Sequence, residues 1–277
     1  MILRLLLAAL LGSFLIRGAA AEAPVRLPAG WIPVWSDEFT QPDGSAPDPE
    51  RWTFDLGGNG WGNEELQTYT ARRENSRIEK GHLVIEARRE SFTGPDQRKR
   101  EFTSARLKTL GRFSVTYGRI EARIQIPKGK GLWPAFWTLG TNLTAVGWPR
   151  CGEIDILENV GREPDQVHGT LHGPGYSAGA GPTRAYRLPG GTPFADVFHV
   201  YSVEWDPRQI RWFVDDTSYF TLTPDQLPKG AAWVFDQPQF LLLNLAVGGR
   251  WPGPPDASTS LPQEMKVDYV RVYRRAP

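Results

Sequence analysis

Alternation of hydrophobic and polar positions predicts short β-strands along most of the chain. The clearest case covers residues 119–126, where Ile120, Ala122, Ile124 and Ile126 face one side and charged or polar side chains face the other. Further β-rich runs occupy residues 82–88, 200–205, 210–214, 240–246 and 267–273. Helical periodicity is weak except for one short turn at 224–227. The pattern therefore predicts an all-β fold.

Frequent turn residues separate these runs. The chain contains 29 Gly and 24 Pro, spread along its whole length, which excludes a helical bundle or a coiled coil. A hydrophobic content of 40% is enough for a sizeable core and excludes a disordered chain. We expect a β-jelly-roll sandwich of two antiparallel sheets. Residues 22–277 form one β-sandwich domain in this interpretation, and we expect it to be a monomer.

The first 21 residues have the pattern of a secretory signal peptide. A basic residue near the start precedes an apolar run over 5–16, and small residues end the segment at Ala21. The apolar run is shorter than the roughly 20 residues that a membrane-spanning helix needs. We therefore expect cleavage after Ala21 and a secreted mature protein, extracellular or periplasmic, without a membrane anchor.

Charge and cysteine content limit which binding partners and which cysteine chemistry the chain can have. Basic and acidic side chains number 32 and 31, for a net charge of +1, which argues against nucleic acid or an anionic membrane as a partner. The single cysteine, Cys151, excludes an intrachain disulfide. It has no activating neighbour in the sequence, and we expect it to be a small buried hydrophobic residue.

An acidic segment at 152–158 is the most informative part of the chain. On an extended strand, Glu153 and Asp155 point to the same face. Simple alternation would send Glu158 into the core, where an unpaired carboxyl group is costly. One extra residue, a β-bulge at Ile156–Leu157, would return Glu158 to the acidic face. We predict that bulge.

The bulged spacing allows the side chains of Glu153 and Glu158 to converge. Their carboxyl groups can approach to about 5 Å. Retaining glycosidases require about 5–5.5 Å between the two carboxyl groups, whereas inverting enzymes leave about 6.5–9.5 Å. Glu153 would be the nucleophile, Glu158 the acid/base, and Asp155 would hold Glu153. A solvated acidic face and a calcium site made of the same oxygens are the alternatives for this segment.

Aromatic residues around the acidic segment favour a carbohydrate ligand. Trp133, Trp137 and Trp148 lie just upstream, and Trp61 and Trp251 occupy Gly-rich loops. Indole rings stack on the apolar faces of sugars. The aromatic residues predicted to belong to the core are Trp35, Trp52, Phe136, Trp205 and Trp212.

Residues 152–158 resemble the active-site signature of glycoside hydrolase family 16, in the longer, bulged form of the laminarinase-like endo-β-1,3-glucanases. Four further stretches resemble the same branch, at 57–67, 129–137, 168–176 and 244–252. The resemblance extends from Trp35 to Tyr273. It implies a jelly roll with a substrate cleft on its concave face and retaining hydrolysis of a β-glucan.

By matching position, the resemblance makes Glu153 the nucleophile, Asp155 its helper and Glu158 the acid/base. The substrate-binding residues that it implies are Trp61, Asn63, Trp133, Trp137, His172 and Trp251. The branch often has Asn where this chain has Glu64 and Arg250, so the preference of individual sugar subsites is left open.

Metal binding has two candidate positions. His168 and His172 have a spacing that suits zinc on a helix, but the glycines and proline around them argue against a helix, so we expect no catalytic metal and no cofactor. The family resemblance implies a structural calcium ion held by Glu38, the carbonyl of Gly81 and Asp268. A simple surface role of the two acids is the alternative.

The leading hypothesis is a secreted endo-β-1,3-glucanase acting on laminarin-type β-glucans. One alternative keeps the enzyme and changes the polymer, to a mixed-linkage β-1,3-1,4-glucan or a galactan. Another is a non-catalytic β-glucan-binding module, although modules of that kind lose one or more of the three acids.

Overall fold

Two stacked β-sheets make up the fold in a computed structural model that describes residues 29–277. The predicted signal peptide at 1–21 lies outside the described residues. Within the described part, no helix is long and apolar enough to cross a bilayer.

The strands follow one another closely along the chain. The first nine are β1 (Trp31–Asp37), β2 (Thr53–Phe54), β3 (Gln67–Tyr69), β4 (Ser76–Glu79), β5 (His82–Thr93), β6 (Lys99–Ser104), β7 (Arg106–Lys108), β8 (Gly118–Gln125) and β9 (Leu132–Gly140). The remaining ones are β10 (Glu153–Glu158), β11 (Gln166–His172), β12 (Thr183–Arg187), β13 (His199–Asp206), β14 (Gln209–Val214), β15 (Thr217–Leu222), β16 (Gln239–Val247) and β17 (Gln263–Arg275). The helical segments are α1 (Leu143–Val146) and 3₁₀ turns at Ala178–Ala180, Pro189–Gly191, Phe194–Asp196 and Pro224–Gln226.

The larger sheet has ten strands, with the main order β15, β14, β13, β8, β17, β5, β6, β3, while β1 pairs with β17 and β4 with β5. The smaller sheet has seven strands in the order β12, β11, β10, β9, β16, β7, β2. All pairings are antiparallel except the parallel pair β3 and β6. The predicted jelly-roll sandwich is therefore confirmed.

The strongest sequence prediction of a strand is confirmed almost to the residue. Strand β8 spans Gly118–Gln125, and Ile120, Ala122 and Ile124 are completely buried between the sheets. Alternation succeeds here because β8 has one apolar and one charged face. In β16 every residue is buried, since one face meets the core and the other lies under the loops and the cleft.

The core lies between the sheets and contains most of the aromatic residues predicted for it. Trp52, Phe136, Trp205 and Trp212 are at most 2% exposed. Trp35 is different: it is only partly buried and packs at the rim of the core, where its ring stacks on Phe113 at 4.9 Å.

Cys151 has the environment predicted for it. The residue is fully buried in a small second cluster with Leu139, Phe240 and Leu242. Burial raises the pKa of its thiol above the usual value. The side chain is therefore an inert packing group.

A single indole from the large sheet reaches the backbone of β10 in the small sheet. Trp212 Nε1 donates a hydrogen bond of 2.8 Å to the carbonyl oxygen of Asp155. Gly169 on the neighbouring β11 leaves space for this indole, because a Cβ there would lie 2.5 Å from Trp212 Cδ1. The large sheet thus fixes the position of the acidic strand from below.

Candidate active site

Strand β10 contains the predicted bulge. Against β11, Asp155 is opposite Thr170 and Glu158 is opposite His168, so three steps on β10 match two on β11. Against β9, the register shifts between Asp155 and Leu157. The extra residue keeps the apolar side chains of the bulge buried and places Glu158 on the same side as Asp155.

The acidic face of β10 forms the floor of a cleft of about 450 Å³. Glu153, Asp155 and Glu158 all line it. The other side chains that line it include Trp61, Asn63, Glu65, Arg106, Trp133, Trp137, Trp148, His172 and Asn244. All but one of the predicted substrate-binding residues are therefore in the cleft. Trp251 is the exception and stands behind Trp133, edge-on at 5.4 Å.

Each of the two outer carboxylates accepts a hydrogen bond from an indole. Trp148 Nε1 donates to Glu153 Oε2 at 2.9 Å, and Trp133 Nε1 donates to Glu158 Oε1 at 3.1 Å. Thr170 also donates to Glu158, at 3.3 Å. These bonds fix the orientation of both carboxyl groups. Trp133 was expected to contact sugar, and the structure gives its N–H this additional role.

Burial dominates the electrostatics of the three acids. It raises the pKa of Glu153, and the neighbouring charge of Glu158 raises it further, while the Trp148 hydrogen bond opposes the shift. Burial also raises the pKa of Asp155, with the charges of the two glutamates adding to it, and that of Glu158. Three carboxyl groups this close do not all ionise near neutral pH. The cluster retains a proton that it can donate.

His172 does not neutralise this cluster with a positive charge. It lies directly across from Glu153 on β11. Burial lowers the pKa of His172 to about 4, so that its imidazole is neutral at neutral pH. It therefore contributes polar ring nitrogens to the cleft and no charge.

An arginine that the sequence analysis did not identify lies on the far side of the cleft. The guanidinium of Arg106 stands between the rings of Trp61 and Trp137, at 4.9 and 4.7 Å from their centres, and pairs with Asp55. Trp137 in turn donates its N–H to Asn244 at 2.7 Å. Arg106 is 47 positions before the first catalytic acid, so no local motif pointed to it.

The two departures from the family pattern contact each other. Arg250 Nη2 lies 3.0 Å from Glu64 Oε1, and both side chains are largely exposed. The backbone N–H of Arg250 also donates to the carbonyl oxygen of Asn63 at 2.8 Å. This pair joins the loop that carries Trp61 and Asn63 to the loop that carries Trp251.

The residues of the predicted calcium site have partners of opposite charge. Arg271 binds both carboxylate oxygens of Glu38, at 2.9 and 2.6 Å. Asp268 accepts a hydrogen bond of 2.7 Å from Arg123. Gly81 lies in the turn between β4 and β5. In this arrangement arginines occupy the oxygens that calcium would need.

A sandwich with two oriented carboxyl groups in an aromatic cleft is an arrangement typical of a glycoside hydrolase. The model of glycosyl hydrolases family 16 matches residues 63–271. The chain belongs to this family.

Relatives are similar in sequence and structure over most of the chain. A β-glucanase of Rhodothermus marinus is 49% identical over 252 residues, which is 88% of this chain and 85% of the relative. The endo-β-1,3-glucanase structure from Pyrococcus furiosus is 51% identical, with a TM-score of 0.84 over 89% of this chain and 95% of that one. The laminarinase catalytic domain from Thermotoga maritima is 49% identical, also with a TM-score of 0.84, over 89% and 99% of the two chains.

Replacement of Glu158 by Gln tests its role as the general acid. The variant should lose about 10²–10⁴-fold in kcat on a polysaccharide, because the general acid is gone. On an aryl β-glucoside with a good leaving group, the first step needs no acid, and the basic limb of the kcat/KM profile should disappear in the variant. In the unmodified protein that limb reports loss of the Glu158 proton, and burial raises the pKa of Glu158 to about 7.

Glu163→Gln is the matched control, since Glu163 follows the same strand but does not line the cleft. It should keep both limbs of the profile. A basic limb that persists in Glu158→Gln would contradict the role of Glu158 as the acid.

Proposed function

We propose that the protein is an endo-β-1,3-glucanase that hydrolyses laminarin-type β-glucans with retention of configuration. The observation that carries this proposal is the bulged strand β10, which directs Glu153 and Glu158 into one cleft with an indole N–H on each. Relatives at 49–51% identity are named as β-glucanase, laminarinase and endo-β-1,3-glucanase. Catalysis in this family requires no cofactor.

The first step forms a glycosyl-enzyme. The ionised carboxylate of Glu153 attacks the anomeric carbon, the glycosidic C–O bond breaks, and the proton of Glu158 passes to the leaving oxygen. The Trp133 and Thr170 hydrogen bonds hold Glu158 in place for this transfer. Asp155, beside the nucleophile, shares the proton of the buried cluster and limits the negative charge there.

The second step releases the sugar. Glu158, now a carboxylate, takes a proton from water as the water oxygen attacks the anomeric carbon, and the bond to Glu153 breaks. The two displacements together retain the configuration. Trp148 keeps one oxygen of Glu153 hydrogen-bonded.

Internal cleavage of a chain needs sugar-binding groups on both sides of the acids. Arg106 and Asn244 lie on β7 and β16 on one side of β10, and His172 lies on β11 on the other. Aromatic rings at Trp61 and Trp137 supply stacking faces. The cleft is therefore suited to a polymer that continues past the cleaved bond.

The alternatives from the sequence are less well supported. A non-catalytic binding module does not need three oriented acids. Among the described residues that line the cleft, Arg106 is the one cationic side chain, and it is paired with Asp55. That charge pattern does not favour a sulfated galactan.

Incubation with laminarin, lichenan, agarose and carrageenan in parallel tests the proposed activity. We expect reducing ends from laminarin first, retained anomeric configuration in the initial product, and a loss of at least about 10³-fold in Glu153→Gln. Glu50→Gln, on an exposed loop and not among the residues that line the cleft, is the control and should keep full activity. Binding of laminarin without release of reducing ends by the unmodified protein would overturn the enzyme assignment.

We also propose that the protein is exported and that residues 1–21 are removed. The supporting observation is the sequence pattern of that segment. Mass spectrometry of protein recovered outside the cytoplasm should show Glu22 as the first residue. Protein that retains the segment and stays in the cytoplasm would refute this.

A structural calcium ion at Glu38, Gly81 and Asp268 is a further proposal from the family resemblance. Binding would require Arg271 and Arg123 to turn away from the two carboxylates. Calcium added to chelator-treated protein should then raise Tm, and Asp268→Asn should abolish the increase. An unchanged Tm in the unmodified protein would contradict the calcium proposal.

A further inference from the structure

Three side chains with metal-binding atoms converge at the nucleophile end of the cleft. Glu153 and Asp155 from β10 meet His172 from β11, and one donor atom from each lies within 4.8 Å of the others. His172 Nε2 is 3.3 Å from Asp155 Oδ2 and 3.8 Å from Glu153 Oε1. Within residues 29–277 this is the one group of three such side chains.

One of these donor atoms is buried without a hydrogen bond. Asp155 is only 3% exposed, and its Oδ2 accepts no hydrogen bond, with His172 Nε2 as its polar neighbour at 3.3 Å. A buried carboxylate oxygen without a hydrogen bond costs free energy, and a cation beside it would remove that cost.

The imidazole is held in place for the same position. Gly181 packs against its Nδ1 so closely that a Cβ there would lie 2.4 Å away. The ring therefore keeps its Nε2 directed at the two acids. The three donors belong to paired, buried strands, so they are preorganised.

The distances and the donor types fit zinc. Bonds of about 2.0–2.1 Å in tetrahedral geometry separate neighbouring donors by about 3.3–3.4 Å. The His172–Asp155 distance of 3.3 Å already fits, and the other two distances, 3.8 Å and at most 4.8 Å, contract when the ion binds. One imidazole nitrogen with two carboxylate oxygens suits Zn²⁺, whereas Ca²⁺ and Mg²⁺ prefer oxygen ligands alone. We propose that Glu153, Asp155 and His172 bind one Zn²⁺ ion, with its fourth position open to the cleft.

Zinc at this site would inhibit the enzyme and not assist it. A metal bond to Glu153 occupies the carboxylate that attacks the anomeric carbon, so zinc and the sugar compete for the same atoms. This consequence rests on the proposed glycosidase activity. Zinc should therefore raise KM and leave kcat unchanged at saturating substrate.

Calorimetric titration of Zn²⁺ into protein without a histidine tag tests the binding directly. The protein is first treated with a chelator, and calcium is kept in excess to fill oxygen-only sites. We expect one Zn²⁺ per chain, and an affinity at least about tenfold lower in His172→Gln. His168→Gln is the matched control, because His168 lies on the same strand and has one acid nearby, Glu163 at 3.4 Å.

The variants separate the outcomes. Unchanged affinity in His168→Gln together with loss in His172→Gln supports the site, provided that circular dichroism and Tm show both variants folded. If His172→Gln fails to fold, Asp155→Asn replaces it, with the same expected loss. No zinc binding, or equal binding in His172→Gln, would overturn the proposal.

Activity assays keep the two proposals apart. If the protein binds zinc and cleaves no glucan, the zinc proposal stands and the glucanase proposal is refuted. If the protein cleaves laminarin and does not bind zinc, the glucanase proposal stands and the zinc proposal is refuted.

Discussion

The avoidance of a buried, unpaired carboxylate at Glu158 determines the structure around it. A regular strand would have turned this side chain between the sheets, where Ile154 and Leu157 are completely buried. The bulge directs the carboxyl group into the cleft and the two apolar side chains of Ile156 and Leu157 away from solvent. Trp212 then holds the strand from the opposite sheet through the Asp155 carbonyl. Packing and catalysis thus depend on the same irregularity.

The cleft combines low solvent access with repulsion among like charges. Burial raises the pKa of all three carboxyl groups. Burial alone therefore does not make one carboxyl group the acid and another the nucleophile. Directional hydrogen bonds oppose this rise at both glutamates, from Trp148 at Glu153 and from Trp133 and Thr170 at Glu158, and they fix the orientation of each carboxyl group. A neutral His172 leaves the balance to the carboxyl groups themselves.

The acidic strand, its bulge and the strands with one apolar face could be predicted because each follows from a local rule. Alternation fixes which side chains of β8 are inside, and the cost of burying Glu158 requires the extra residue in β10. The roles of the indole N–H groups could not be predicted, because they depend on how β9 and the loop before β10 are placed over the acids. Arg106 was missed for the same reason. Its strand, β7, is adjacent to β16 in the sheet, and this pairing of distant segments is what places it beside the site.

The lone, fully packed thiol of Cys151 has a consequence for how the fold responds to temperature. With one cysteine in the chain, no covalent cross-link restricts the unfolded ensemble. Stability comes from burial of apolar surface. Exposure of that surface on unfolding raises the heat capacity, so the free energy of unfolding is strongly curved with temperature. Because the chain cannot form an intrachain disulfide, neither disulfide formation nor a mispaired intrachain bridge is part of its folding.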